Sequence, residues 1–182
     1  MASLDQFKGY LIGGGARANQ FRVIMNTPAS LITDNNSERT SFMIKTAQLP
    51  GQTIGEIAVP FRGRNLYIAG DREFETWTTT IINDTDFAVR NLIEQWMNGM
   101  NDLVNNTGAI DPGTYQADLK VQQLDRGNDS VLKTYNLIGC FPQAMTGIDL
   151  SYETQNEIEQ FEVTWRYQHF TASDVTPGVT ND

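Results

Sequence analysis

Strict alternation of apolar and polar side chains near the carboxyl end constrains this chain more than any other feature. Over residues 161–169, the intervening positions carry acidic, hydroxyl, basic and amide groups. The alternate positions carry Phe161, Val163, Trp165, Tyr167 and His169. A period of two residues is typical of a β-strand with one buried and one exposed face. We therefore predict a core strand here, with Phe161, Val163 and Trp165 pointing inward.

Several other segments are rich in the β-branched and aromatic residues that strands favour. They lie at 21–25, 42–48, 74–82 and 146–152. A further pair, 118–125 and 131–138, flanks a short polar loop that contains glycine, which predicts a hairpin. Together these segments predict a mainly β protein with antiparallel pairing.

One segment follows helical periodicity instead. From Asp86 to Val104, apolar residues recur at the spacing of a helix and form a broad stripe, which predicts one substantially buried helix. We expect Asp84 or Thr85 to cap its start, and Gly99 to mark the end of its regular part. Residues 83–86 also resemble the start of a calcium loop, but the glycine and distal glutamate of such a loop are missing.

Residues 55–70 predict an unusual hairpin. Two β-like runs, 57–61 and 65–69, flank a basic tip that contains Arg62 and Arg64. An isolated hairpin is marginal in water, so this one must lie either on its own core or on a neighbouring subunit. We expect Asp71 and Arg72 to pair in a turn that returns the chain to the next strand, with a local or an intersubunit role. These four charged residues are the candidates for a subunit interface.

The length of 182 residues suits a single domain spanning 1–182. The formal net charge of −9 argues against general nucleic-acid binding and against a polybasic membrane-binding surface. Residues 1–72 carry eight basic and five acidic side chains, whereas residues 73–182 carry five and seventeen. The net charge is therefore +3 for residues 1–72 and −12 for residues 73–182. Either the acidic half is a solvated surface, or it contacts the basic half of another copy.

The residues available for catalysis are few. His169 is the only histidine and Cys140 the only cysteine, so we expect no catalytic, metal or cofactor site and no internal disulfide. Residues 11–17 are glycine-rich but lack the lysine of a phosphate-binding loop. We interpret 1–20 as a flexible amino-terminal arm and 171–182 as a polar tail. No apolar run is long enough to span a bilayer, which favours a cytosolic protein.

Four blocks of the sequence resemble the tail tube proteins of contractile-tailed, T-even-like bacteriophages, and they occur in family order. The blocks lie at 41–51, 68–78, 83–96 and 135–164. Their most specific motifs are Leu49-Pro50-Gly51, Ala69-Gly70-Asp71-Arg72-x-Phe74 and Asn156-Glu157-Ile158-x-x-Phe161-Glu162-Val163-Thr164. The resemblance covers most of residues 21–170. Residues 27–41 and the tail after Phe170 are longer than is usual in the family.

The resemblance implies a small antiparallel β-barrel or sandwich with one packed helix. It also implies six copies in a ring, rings stacked into a tube inside a contractile sheath, and DNA ejection through the lumen without specific binding. The expected partners are the tail sheath, baseplate and tail-terminator proteins, with no membrane involved. The expected location is the virion tail, after synthesis in the host cytoplasm. Because phosphates would bind a basic wall, we expect a lumen lined by acidic and small polar side chains.

Two alternatives remain open from the sequence. The first is a related part of an injection machine, either a tube-initiating baseplate protein or a secretion-system tube of the same fold. The second is a monomeric β-barrel that binds a small ligand, because fold alone does not specify function. Tubes or stacked rings of the purified protein would favour the assembling proteins over the monomer.

Overall fold

The computed structural model describes residues 3–11, 14–32, 37–127 and 130–175. Its strands are β1 (Phe21–Met25), β2 (Ile44–Ala47), β3 (Gln52–Phe61), β4 (Arg64–Phe74), β5 (Trp77–Ile82), β6 (Ala117–Leu124), β7 (Val131–Met145), β8 (Gln160–Arg166) and β9 (His169–Ala172). Its helices are α1 (Leu4–Tyr10), α2 (Ser37–Met43), α3 (Ala88–Met100) and α4 (Pro112–Tyr115). The predicted fold class is confirmed: the chain is mainly β, with one long packed helix, α3. The three short helices were not predicted.

The strands form two separate sheets, and every pairing is antiparallel. The larger sheet has the order β1-β6-β7-β8-β5-β2, and β9 pairs with β7. Strands β3 and β4 form a two-stranded sheet of their own. The predicted hairpin between 118–125 and 131–138 is confirmed as the β6–β7 pair.

Strand β7 connects the two halves of the larger sheet. Its first part pairs with β6 and β9, and its last part, from Phe141 to Met145, pairs with β8. Gly139 lies between these parts with a φ of +65°, a backbone conformation that favours glycine. An added Cβ there would lie 2.9 Å from the Gln168 side chain and 3.0 Å from Oε1 of Gln116. The glycine therefore lets one strand serve both halves.

Strand β8 lies at the centre of the core, as its alternation predicts. Phe161, Val163 and Trp165 are at most 2% exposed. The Trp165 ring packs edge-on against Trp96 of α3, with centroids 5.6 Å apart. Its indole Nε1 donates to the Thr79 hydroxyl over 3.0 Å, so the buried polar atom is satisfied. The prediction of a core strand with these side chains inward is confirmed.

Several predicted strand limits are wrong. Strand β8 ends at Arg166, and His169 is an exposed residue at the start of β9 instead of a member of the same strand. Residues 146–152 form no strand: the contact of the β7 chain with β8 ends at Thr146, whose N–H donates to the Glu162 carbonyl over 2.9 Å. Residues 42 and 43 end helix α2, and the 74–82 segment is divided between the end of β4 and all of β5.

The predicted capping of α3 is also wrong. Its N-cap residue is Phe87, with a left-handed φ of 55° and no side-chain capping bond. The two nearby aspartates bind α2 instead: Nη2 of Arg39 lies 2.8 Å from Oδ2 of Asp84 and also donates to Asp86. The hydrogen bond from Arg39 is the main cause that holds the pKa of Asp86 below its usual value.

The amino-terminal arm contains α1, whose start is a capping box between Ser3 and Gln6. No residue of α1 is buried. The flexibility predicted for residues 1–20 stays a prediction. The predicted polar tail begins within β9, and residues 176–182 lie outside the described part of the chain.

Candidate functional site

The hairpin formed by β3 and β4 is the most exposed β-structure in the described chain. Its two strands are joined by a two-residue turn in which Arg62 has φ 47° and Gly63 has φ 82°. Two positive φ values are those of the turn that matches the twist of paired strands. The Arg62 guanidinium lies over the Phe61 ring, 5.3 Å from its centroid. The predicted hairpin with a basic tip is confirmed and is longer than predicted.

One face of this hairpin is apolar. Val59 lies opposite Leu66, and Ile57 lies opposite Ile68, on the same face as Phe61. We call these five residues the hairpin apolar face. Their side chains are between 41% and 67% exposed. Contiguous exposed apolar side chains of this kind mark interaction surfaces in soluble proteins.

The opposite face of the hairpin is mixed in character. Register places Glu56, Ala58 and Pro60 there, opposite Ala69, Tyr67 and Asn65. All ten residues of β3 are exposed, so neither face of this strand is covered by the rest of the described chain. A two-stranded sheet without such cover is marginal in water, and the contact that supports it must come from elsewhere.

The base of the hairpin is irregular where β3 and β4 come close together. The register shifts between Ile54 and Glu56. A Cβ added to Gly70 would lie 3.1 Å from the carbonyl oxygen of Gly55. Glycine at position 70 therefore permits this close approach of two backbones.

The predicted Asp71–Arg72 turn is wrong. Both residues lie within β4, Asp71 at the register shift and Arg72 opposite Ile54. The Arg72 side chain donates to Oε1 of Gln52, on the facing strand. The chain returns to β5 only after Phe74, so Arg72 contacts the hairpin base instead of a turn.

An aromatic cluster attaches the hairpin to the body of the molecule. The Phe74 ring lies 6.1 Å from the Tyr167 ring and 5.5 Å from the Phe170 ring, measured between centroids. Nη1 of Arg166 donates to the Phe74 carbonyl over 3.2 Å. The attachment therefore lies at the last residue of β4.

The four charged interface candidates do not form one cluster. Arg64 and Arg72 are separated by eight residues of extended strand, or about 27 Å. Arg62 and Arg64 lie at the tip, whereas Asp71 and Arg72 lie near the base. The sequence interpretation identified the charges of this hairpin and missed its apolar face. The available signal was the alternation of Ile57, Val59 and Phe61.

The two residues considered for catalysis lie in different surroundings. Cys140 is fully buried, and burial raises the pKa of its thiol to about 12. Its Sγ donates to the carbonyl of Leu137. His169 is exposed in β9.

Within the described ranges, no group of three or more His, Cys, Asp or Glu side chains could hold a metal ion. No helix among the same residues is long and apolar enough to cross a bilayer.

Known proteins resemble this chain in both sequence and fold. The model of a family described as phage tail tube protein matches residues 16–173. The tail tube protein of Serratia phage KSP90 is 31% identical over 169 residues, which cover 92% of this chain and 95% of that protein. Tail tube protein gp19 of Enterobacteria phage T4 is 29% identical over 160 residues, which cover 88% of this chain and 93% of that protein.

Solved structures extend the likeness of fold to contractile injection systems. A chain in the anti-feeding prophage cap superposes with a TM-score of 0.63 at 16% identity, covering 87% of this chain and 91% of that one. A chain in the sheath-tube complex of the extracellular contractile injection system PVC superposes with a TM-score of 0.59 at 12% identity. The match covers 96% of this chain and 100% of that one. The family model spans most of the chain, and the resemblance inferred from the motifs is confirmed. This chain belongs to the phage tail tube protein family, together with the tail tube proteins of T4-like phages.

Proposed function

We propose that copies of this protein assemble through the β3–β4 hairpin into hexameric rings, which stack into the inner tube of a contractile tail. The observation that carries the proposal is the hairpin apolar face, because its five large side chains are exposed and the described chain leaves them uncovered. Burying such side chains against a neighbouring copy removes apolar surface from water. The support that an isolated hairpin lacks then comes from the neighbour.

Open strand edges provide a second means of association. Strands β1 and β2 end the larger sheet, and within the described part of the chain each pairs with another strand on one side only. Unpaired strand edges bind other strands unless they are protected. A head-to-tail contact closes into a ring when its rotation divides a full turn. The number six is supported by a baseplate chain of the same fold, with a TM-score of 0.63, in a structure described as 6-fold symmetrised.

The proposed partners are the tail sheath, the baseplate and the tail-terminator protein. Structural relatives come from a sheath-tube complex, a baseplate and a tube-terminating cap. The TM-score to the baseplate chain equals that to the cap chain, so fold alone does not separate a tube protein from a tube initiator. The curated relatives are tail tube proteins, which favours the tube. The proposed location is the virion tail, after synthesis in the host cytoplasm.

For DNA transit, we propose a lumen whose wall is acidic and polar. Lysine and arginine on the wall would bind phosphates and release counterions, which would hold the DNA. The net charge of −12 on residues 73–182 supplies acidic groups for such a wall. Reversing lumen acids to lysine should slow DNA ejection from phage particles. Ejection at the normal rate, or a lumen rich in unpaired Lys and Arg, would contradict this part of the proposal.

Deleting residues 57–68 and bridging the ends with glycine tests the role of the hairpin. We expect a folded, soluble protein that forms no tubes in negative-stain electron microscopy, whereas the unmodified protein forms tubes or stacked rings. Circular dichroism and thermal unfolding report whether the body has folded. Normal tubes from the deletion variant would show that the hairpin is dispensable for assembly.

A matched pair of point variants tests which face matters. Leu66→Lys places a charge on the hairpin apolar face, and Asn65→Lys places the same charge on the opposite face. We expect the first variant to raise the protein concentration needed for tube formation far more than the second. Equal effects of the two variants would indicate that the apolar face has no particular role.

A further inference from the structure

We propose that α1 of one copy binds in an apolar groove beside α3 of a second copy, stacked on the first. This inference rests on the proposed self-assembly and adds a contact that does not use the hairpin. Both surfaces lie in the described part of the chain, and in this structure neither covers the other.

The first surface is the apolar face of α1. Leu4, Phe7 and Leu11 have the spacing i, i+3 and i+7, and their side chains are 68%, 60% and 45% exposed. The spacing is that of helices that bind in grooves. Asp5 and Lys8 form an exposed ion pair, with Asp5 on the opposite side of the helix from Phe7. A helix of seven residues is marginal by itself and gains stability by packing.

The second surface is a groove of about 670 Å³. Its apolar lining includes Met97 and Met100 of α3, Tyr115, and Phe141, Pro142 and Met145 of β7, and Asn98, Asn101 and Gln143 add polar groups. The Tyr115 and Phe141 rings meet edge-on, with centroids 5.9 Å apart. Methionine side chains adapt their shape to an apolar partner, and Met-rich grooves are used to bind amphipathic helices. The groove therefore has the lining that α1 requires.

Charge favours the same pairing. The groove belongs to the half of the chain with a charge of −12, and one of its lining residues is Glu94, whose Oε1 lies 2.9 Å from Nε of Arg90. The arm belongs to the half with a charge of +3, and Lys8 follows Phe7 directly. The carbonyl end of α3 is at the groove as well, and the helix dipole there attracts a cation. Binding of α1 would bring Lys8 to the carbonyl end of α3.

In this structure the arm leaves the sheet at the end of β6 that lies away from the groove. The Arg17 carbonyl accepts from Nε2 of Gln123, near the end of β6, over 2.7 Å. The groove lies beside the start of β6, where Ala117 is opposite Cys140. These ends of β6 are separated by six residues of strand, or about 20 Å. If α1 at one end of a copy binds the groove at the opposite end of the next copy, the same contact can repeat along a stack without closing into a ring.

Cross-linking of the full-length protein tests the contact directly. In the variant Phe7→Cys/Met97→Cys, the two new thiols should lie close together between stacked copies. A maleimide cross-linker with a short spacer should convert assembled protein into a ladder of dimers, trimers and longer species on denaturing gels. Cys140 is fully buried with a raised pKa and provides an unreactive background. The control Asp5→Cys/Met97→Cys places the thiol on the opposite side of α1 and should give no ladder.

The outcomes separate this inference from the proposed function. Tubes that form without a ladder would overturn the α1 contact and leave the tube proposal intact. A cross-link within single chains would also overturn it, because α1 would then bind its own groove. Absence of any assembly by the unmodified protein would overturn both. As a second readout, Phe7→Glu should abolish stacking while Gln6→Glu, which adds the same charge and keeps the capping box, should not.

Discussion

Strand β8 and the β3–β4 hairpin have similar sequence patterns and opposite surroundings. In both, apolar residues alternate with other residues along an extended chain. The alternate side chains of β8 are at most 2% exposed, whereas the side chains of the hairpin apolar face are at least 41% exposed. The difference lies in the neighbours. Strand β8 is paired on both sides and contacts α3 through Trp165, but among the described residues β3 and β4 pair only with each other.

This contrast shows what an apolar stripe means in an assembling protein. A buried stripe stabilises the single chain, and its removal is measured in the free energy of unfolding. An exposed stripe contributes little to the single chain, and in the proposed assembly it contributes to the contact between copies. Variants in the two regions should therefore affect different measurements.

The largest effect on stability is expected from Trp165→Ala in β8. Trp165 is 1% exposed and packs against Trp96, so its truncation leaves a cavity and should cost about 3–5 kcal/mol of unfolding free energy. Denaturant unfolding of unassembled protein measures the cost. An unchanged midpoint would mean that this face of β8 does not support the core.

The next largest effect is expected from Thr79→Val in β5. The substitution preserves shape but removes the acceptor for Nε1 of Trp165, and an unsatisfied buried donor costs about 1–3 kcal/mol. Combining it with Trp165→Phe, which removes the donor, should cost less than the two single effects together. Strict additivity in this double-mutant cycle would contradict the proposed coupling.

The ion pairs between α2 and the start of α3 should give a smaller, pH-dependent effect. The pKa of Asp86 is held below 3.8, so its contribution to stability is present above that pH. The contribution is lost as the pH falls through the lowered pKa. Arg39→Gln should therefore flatten the acid limb of the stability curve, while Arg17→Gln, which removes an equal charge elsewhere, should leave it unchanged. Parallel acid limbs in both variants would contradict this assignment.

The smallest effect on the single chain is expected in the hairpin. Leu66 is 61% exposed, so Leu66→Ala should change the unfolding free energy of unassembled protein by no more than about 0.5 kcal/mol. The same substitution should weaken tube formation, measured by sedimentation of assembled protein. A large loss of monomer stability would show that the hairpin packs on its own chain and would remove the contrast with β8.

Where a pattern depended on neighbouring residues along the chain, the sequence was a reliable guide. The alternation at 161–167 predicted a buried β8 face, and the helical stripe predicted α3, which ends at Met100 beside Gly99. The Arg62–Gly63 tip was predicted as a hairpin turn. These signals are local, because side-chain spacing and turn conformation follow from the residues themselves.

Where a pattern depended on distant partners, the sequence was misleading. Asp84 and Thr85 have the composition of a helix cap, yet Arg39 on α2 gives Asp84 another partner and the helix begins after Phe87. Residues 146–152 have strand-like composition, but the chain leaves the edge of β8 after Thr146. The ion-pair turn at Asp71 and Arg72 was predicted without knowledge of the long β3–β4 register.

The sequence by itself determined the mainly antiparallel class, the core face of β8, the single long helix and the family. Only the tertiary structure decided which apolar stripes are buried, because burial depends on what lies opposite each stripe and not on the stripe. In the tertiary structure, the apolar face of β8 is buried in the core, whereas the hairpin apolar face and α1 are exposed. The groove beside α3 also exists only in the folded chain. An alternating strand fits equally well against its own chain or against another copy, and the positions of distant elements select between them.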